Sequence, residues 1–256
     1  MNEDKQIAAC LRCLDKCAPS LADPVSPELA SPVTMLRAAL DIGRKTLTVM
    51  YRTIEIGDDA YLCLPTICRP YWEISVRILW ASRELNGWDR QYKYFATELQ
   101  KHAEKAMKFD EWRENYAPRL EMTKKILRRS DARGKPFKNA PLVNQMLSAN
   151  EEEDIREGIV GKVFPERGSE FRNVALWLAM CGPSHAQLMD LKYEPRFHLT
   201  LATSGAIDAT ANTLRACGYA SAGTQEERAA VALKMGNEMC EILRLGNEDL
   251  VAGTQS

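Results

Sequence analysis

The chain has 256 residues, of which 45% are hydrophobic and 27% are charged, and its formal net charge at pH 7 is -1. This length can bury a large core, as one domain or as a domain with an appendage. The near-neutral charge excludes a strong attraction of the whole molecule to nucleic acid or to an anionic membrane, although a local basic patch is compatible with it. We find no apolar run of the roughly 18 to 20 residues that span a bilayer and no signal-peptide pattern, so we expect a cytoplasmic protein without membrane contact.

Helical periodicity dominates the first part of the chain. Apolar residues at helical spacing predict an amphipathic helix over residues 5–17, and the proline-containing stretch 18–30 is predicted to be a linker. Ser31 followed by Pro32 is typical of a helix start, with serine as the N-cap and proline at the first helical position. A long helix is therefore predicted to run to about Ile56.

Prolines interrupt the next predicted helix. Gly57 breaks the chain, and the following apolar helix contains Pro65 and Pro70. An interior proline removes a backbone hydrogen bond and kinks a helix. We therefore expect a bend just before Glu73.

The second half of the chain is predicted to contain further helices joined by one extended connection. A charged outer helix is predicted from about Asp89 to Phe109, with a continuation to Arg129, broken near Pro118, as the alternative. The acidic run 151–154 is expected to open a short helix, where negative charge suits the N-terminal dipole. The remaining predictions are a buried helix over 169–191, an extended connection over 197–202, and closing helices over 205–216 and 224–245.

These elements predict an all-α fold, a multi-helix bundle with kinked central helices and a C-terminal helical extension. The corresponding division is an N-terminal helix and linker over 1–30, a bundle core over 31–203 and the extension over 204–256.

Arg69, Glu73 and His185 are the candidate site residues. Arg69 and Glu73 are four residues apart on one face of an apolar helix, and His185 follows another apolar segment. Buried charges need partners, so we expect the three side chains to form one polar cluster. It is either a structural network that fixes helix register or a catalytic site, with His185 as acid or base and Arg69 holding an anionic oxygen.

The spacing of these residues resembles that of an uncharacterised bacterial family of all-helical proteins, a domain-of-unknown-function family. The resemblance covers roughly residues 35–190 and is carried by one set of positions: Arg69, Glu73, Phe171, Leu176, Ser184 and His185. It implies an intracellular helical fold and no established reaction.

A basic stretch over residues 119–138 holds eight basic residues against two acidic ones. Its candidate nucleic-acid-binding residues are Lys124, Lys125, Arg128 and Arg129, which would give salt-sensitive contacts to phosphates. The alternatives are a solvated surface or pairing with the acidic run 151–154. The arginine-to-histidine spacing of HEPN-type RNA-cleaving toxins is missing from the chain, which weakens a nuclease interpretation.

The eight cysteines are expected to be buried small hydrophobic residues, because a reducing cytosol disfavours disulfides. Cys10, Cys13 and Cys17 share one helix face, but their spacing is not that of a zinc site. Phosphate-binding, dinucleotide-binding and metalloprotease motifs are missing as well. We therefore expect neither a metal nor a cofactor.

Two functions are compatible with these features. The first is a cytosolic interaction or regulatory protein with a buried Arg-Glu-His cluster, which binds a protein partner or associates with itself. The alternative is a nucleic-acid-cleaving or other hydrolytic effector of a bacterial stress or phage-defence system, which uses the same cluster and the basic stretch. Whether the chain is an enzyme is left open.

Overall fold

A computed structural model describes residues 3–17, 32–83, 89–106, 108–110, 141–156 and 194–221, with isolated positions between 113 and 121 and between 224 and 237. In these residues the fold is all-α, and the predicted multi-helix bundle is confirmed. None of the helices in this part of the chain combines the length and the apolar character that crossing a bilayer requires.

Six α-helices and one 3-10 helix make up the described part of the chain. In order they are α1 (Glu3–Cys17), α2 (Pro32–Ile56), the 3-10 helix (Asp58–Cys63), α3 (Leu64–Ser82), α4 (Asp89–Ala106), α5 (Val143–Arg156) and α6 (Pro195–Ser221).

Helix α2 has the bounds predicted from the sequence. It begins at Pro32, whose fixed φ suits a first helical turn, and it ends at Ile56. Gly57 follows with a φ of 105°, a conformation that favours glycine and ends the helix. Apolar residues at helical spacing along it are buried: Leu36, Leu40, Leu47, Met50 and Ile54.

Helix α3 accommodates its two prolines differently. Pro65 lies in the first turn, where a backbone N–H has no partner within the helix, so it costs no hydrogen bond. Pro70 lies inside the helix, which nevertheless continues to Ser82. Pro65 is therefore not an interior proline as expected, and a bend just before Glu73 stays a prediction.

Helix α6 is the central helix of the bundle. It packs against α1, α2, α3 and the 3-10 helix, and every residue from 205 to 217 is buried. The predicted extended connection over 197–202 is wrong, because α6 is helical from Pro195 onward. The predicted domain boundary between 203 and 204 lies inside this helix, and residues 204–221 pack as part of the bundle.

Threonines allow residues 205–217 of α6 to be buried on all sides although several of them are polar. The Thr210 hydroxyl donates to the Ala206 carbonyl and the Thr213 hydroxyl to the Ala209 carbonyl, both at 2.8 Å. A buried hydroxyl is costly unless it is hydrogen-bonded, and these bonds are made within the helix itself. A helix packed on all sides has no apolar stripe, so periodicity alone does not reveal it.

Several predicted elements fall outside the described residues. They are the linker over 18–30, the buried helix over 169–191 and nearly all of the basic stretch over 119–138. The helix predicted over 224–245 is described only at isolated positions.

Gly43 supplies a test of the packing of α2. A Cβ at this position would lie 2.7 Å from Cε2 of the buried Tyr71 ring and 2.9 Å from Cδ1 of Leu14. Helix propensity alone predicts that Gly43→Ala stabilises the protein by about 1 kcal/mol. We expect the steric conflict to prevail, with a net loss of about 1–3 kcal/mol in the free energy of unfolding, measured by urea denaturation. Thr48→Ala on the exposed side of α2 is the control, and a stabilised Gly43→Ala protein would contradict the close packing.

Candidate functional site

Arg69 and Glu73 form the predicted ion pair on α3. The Nε of Arg69 donates to Oε1 of Glu73 at 2.7 Å, and the two side chains are 19% and 33% exposed. A partly exposed pair of this kind contributes roughly 0–1 kcal/mol. His185 lies outside the described residues, so the grouping of the three residues and any catalytic role stay predictions.

The deeply buried charges lie elsewhere, at the junction of α3, α5 and α6. Arg83 at the end of α3, Asp154 on α5 and Arg215 on α6 have side chains that are 1%, 13% and 5% exposed. The Nη2 atoms of both arginines donate to Oδ1 of Asp154, and Nη1 of Arg215 donates to Oδ2 at 3.2 Å. We call these three residues the Asp154 network.

A second carboxylate extends the Asp154 network toward α4. Both Nη atoms of Arg90 donate to Oε1 of Glu153 at 3.2 Å, and Nε of Arg83 lies 3.4 Å from Oε2 of the same residue. The Arg90 guanidinium also lies 5.4 Å from the centre of the Trp80 ring and donates to the Trp80 carbonyl at 3.1 Å. Four helices are thus joined through charged side chains.

The buried aromatic ring of Tyr219 lies beside the two arginines of the network. The central guanidinium carbons of Arg83 and Arg215 are each 5.7 Å from its ring centre. Arg215 also donates from Nη2 to the Tyr219 hydroxyl at 3.2 Å. The arginines are therefore held by cation–π attraction as well as by the carboxylates.

These contacts determine the ionisation of the Asp154 network. Burial alone would raise the pKa of Asp154, but attraction to Arg215 and Arg83 and hydrogen bonds from both lower it below its ordinary value. Burial would also lower the pKa of Arg215, and attraction to Asp154 raises it instead. Asp154 is an anion at neutral pH with a depressed pKa, which makes it a poor general base.

The position of the acidic run 151–154 corrects the sequence interpretation. These residues lie at the C-terminal end of α5, not at the start of a helix. Negative charge is disfavoured there by the helix dipole. The arginines of three other helices compensate for it, so Glu153 and Asp154 are bound by Arg83, Arg90 and Arg215.

A second set of polar contacts joins α3 directly to α6. The indole Nε1 of Trp72 donates to Oδ2 of Asp208 at 2.8 Å, and Nδ2 of Asn212 donates to the same oxygen at 3.3 Å. The Tyr71 hydroxyl donates to Oγ1 of Thr210 at 3.4 Å. These buried contacts fix how α3 lies along α6.

The described cysteines form no disulfide with one another, and most of them are buried. Burial raises the pKa of Cys10 to about 12 and that of Cys217 to about 12, and it also raises the pKa of Cys68. A protonated, buried thiol is a poor nucleophile and a poor metal ligand. Within the described residues, no group of three or more His, Cys, Asp or Glu side chains is placed to hold a metal ion.

The sequence interpretation missed the Asp154 network for physical reasons. Arg83 follows an apolar helix and Arg215 lies among small buried residues, which was a signal that each needs a buried counter-ion. The partner of both was not apparent, since 71 and 61 residues separate them from Asp154. The predicted nucleic-acid-binding residues Lys124, Lys125, Arg128 and Arg129 lie outside the described residues.

Comparisons with protein families, with curated proteins and with solved structures find no match for this chain. The resemblance to a bacterial family of all-helical proteins therefore stays a prediction that rests on the sequence pattern.

Replacing Asp154 by asparagine tests the structural weight of the network. Asp154→Asn removes the carboxylate while Arg83 and Arg215 stay buried, and breaking a buried pair in this way costs about 3–5 kcal/mol. We expect a loss of that size in the free energy of unfolding, measured by urea denaturation. Glu73→Gln is the matched control and should cost less than about 1 kcal/mol, because its pair is partly exposed. Equal losses in the two variants would contradict the assignment of the structural role to Asp154.

The low pKa of Asp154 predicts a specific dependence of stability on pH. A carboxylate whose pKa is lower in the folded than in the unfolded state stabilises the fold above its unfolded pKa, about 3.9 for aspartate. This contribution is lost as the pH falls through the lower folded value. The stability difference between the unmodified protein and Asp154→Asn should therefore be constant from about pH 5 to 7 and shrink below about pH 4. A difference that grows on acidification would contradict the direction of the shift.

Proposed function

We propose that this chain is an interaction or regulatory protein that binds a protein partner through one exposed end of the bundle, while the Asp154 network is structural. The observation that carries the proposal is the exposure of large apolar side chains at that end. Ile56, Leu62 and Phe197 are 73%, 39% and 42% exposed. We call these three residues the exposed end.

Three elements meet at the exposed end. Helix α2 finishes at Ile56, the 3-10 helix that carries Leu62 follows, and this 3-10 helix packs against both α2 and α6. Tyr61, next to Leu62, interacts electrostatically with Arg196, next to Phe197. Single exposed apolar residues are ordinary on a protein surface, whereas several together are typical of an interaction site.

The chemistry of the buried charges supports the same proposal. Both oxygens of Asp154 accept hydrogen bonds from arginines, and its pKa is lowered. A carboxylate in this state contributes to packing more readily than to proton transfer.

The alternative function stays a prediction. A nucleic-acid-cleaving effector would need His185 and the basic stretch 119–138 to act with Arg69 and Glu73, and of these the structure describes the Arg69–Glu73 pair and Glu121. The cytoplasmic location belongs to the proposal as well. It is supported by the described cysteines, which form no disulfide with one another, as is typical of a reducing compartment.

Photo-cross-linking tests the proposed interaction. A benzophenone amino acid at Leu62 should give discrete adducts in the native cells, while the same group at Lys101, an exposed position on α4, should give few. Ile56→Glu should remove the Leu62 adducts, because a charge on an apolar contact disrupts it. Thr48→Glu, at another exposed position on α2, is the matched control and should keep them. Equal adducts at Leu62 and Lys101 would contradict an interaction site at the exposed end.

A further inference from the structure

Negative charge surrounds the exposed end. Asp58 and Asp59 of the 3-10 helix are exposed. Burial raises the pKa of Tyr61, the carboxylates of Asp58, Glu3 and Asp4 raise it further, and Arg196 alone among these charges lowers it. Three carboxylates and one guanidinium therefore act on this tyrosine, which makes its surroundings acidic.

An acidic rim around apolar side chains fits a partner that is both basic and apolar. The apolar residues supply contact area, and the carboxylates select positive charge and repel negative charge. An acidic nucleic acid is excluded from such a surface by like-charge repulsion.

The chain itself contains a segment of this composition. The stretch 119–138 has eight basic and two acidic residues, and its basic residues alternate with Leu120, Ile126 and Leu127. In the acidic run 151–154, which is the other candidate for this stretch, Glu153 and Asp154 already bind arginines.

We propose that the exposed end binds the basic stretch 119–138 of a second copy of this chain. This inference rests on the proposed function and specifies the partner. A two-fold arrangement makes both contacts at once, since each copy presents the exposed end to the basic stretch of the other. The association is therefore self-limiting and depends on charge.

Charge exchange tests the pairing by analytical ultracentrifugation. We expect the unmodified protein to associate with rising concentration. Raising the salt from about 0.1 M to about 1 M shortens the Debye length from about 10 Å to about 3 Å and should weaken the association. Asp58→Lys with Asp59→Lys should raise the dissociation constant about tenfold or more, and so should Lys124→Glu with Lys125→Glu.

Combining all four substitutions in one chain should restore the association, because both charge signs are then exchanged and the net charge is unchanged. Glu104→Lys with Glu226→Lys is the matched control, since it makes the same charge change at exposed positions outside the three elements that form the exposed end. This control should associate like the unmodified protein. Circular dichroism melts of every variant separate a lost contact from a lost fold.

Three outcomes would overturn the inference. The first is an unmodified protein that stays monomeric at every concentration. The second is a variant with all four substitutions that associates no more strongly than either double variant. The third is that Lys124→Glu with Lys125→Glu abolishes binding to a fluorescent single-stranded oligonucleotide and leaves sedimentation unchanged. This result would assign the basic stretch to nucleic-acid binding. Leu62 adducts with a different protein would in each case leave the proposed function standing.

Discussion

The packing of α3, α5 and α6 depends on one interaction, the hydrogen-bonded ion pairs between the Asp154 carboxylate and two arginines. Removing three charges from water is costly, and the cost is met only where the geometry is good and each charge is hydrogen-bonded. Arg83 and Arg215 meet this condition, since together they bind both oxygens of Asp154. Sliding α5 by one turn, about 5.4 Å, would take the carboxylate away from both arginines. The network thus fixes helix register in a way that apolar contacts alone do not.

The same interior explains how α6 serves as the central helix although its sequence is rich in polar residues. Its threonines bond to the carbonyls of their own helix, and Asp208 accepts the indole N–H of Trp72. Alanines between these positions let neighbouring helices come close. These polar groups are therefore hydrogen-bonded inside the bundle. The apolar side chains that remain uncovered, such as Ile56, lie on its outside. This separation of internal charge from external apolar surface underlies both proposals.

An element could be predicted from the sequence when the residues that determine it are close together in the chain. The bounds of α2 were predicted correctly because Pro32, Gly57 and one apolar stripe determine them. The Arg69–Glu73 pair was found for the same reason, since its partners are one turn apart. The start of α6 was missed because apolar and polar residues alternate from Phe197 to Leu201, which imitates a strand, although the segment is helical. The acidic run was misplaced because arginines distant in sequence outweigh the helix dipole. No local pattern indicates that Asp154 is the partner of Arg83 and Arg215.

Two buried contacts also affect how the protein folds during translation. They are the contact between Trp72 and Asp208 and the contact between Tyr71 and Thr210. The partners of each contact are separated by 136 and 139 residues. At about 5–20 residues per second, synthesis leaves both aromatic side chains uncovered for about 7 to 30 s before α6 is made. The newly made first half of the chain then exposes apolar surface that α6 covers later. Among the six described helices, α6 is translated last, and it covers both aromatic side chains.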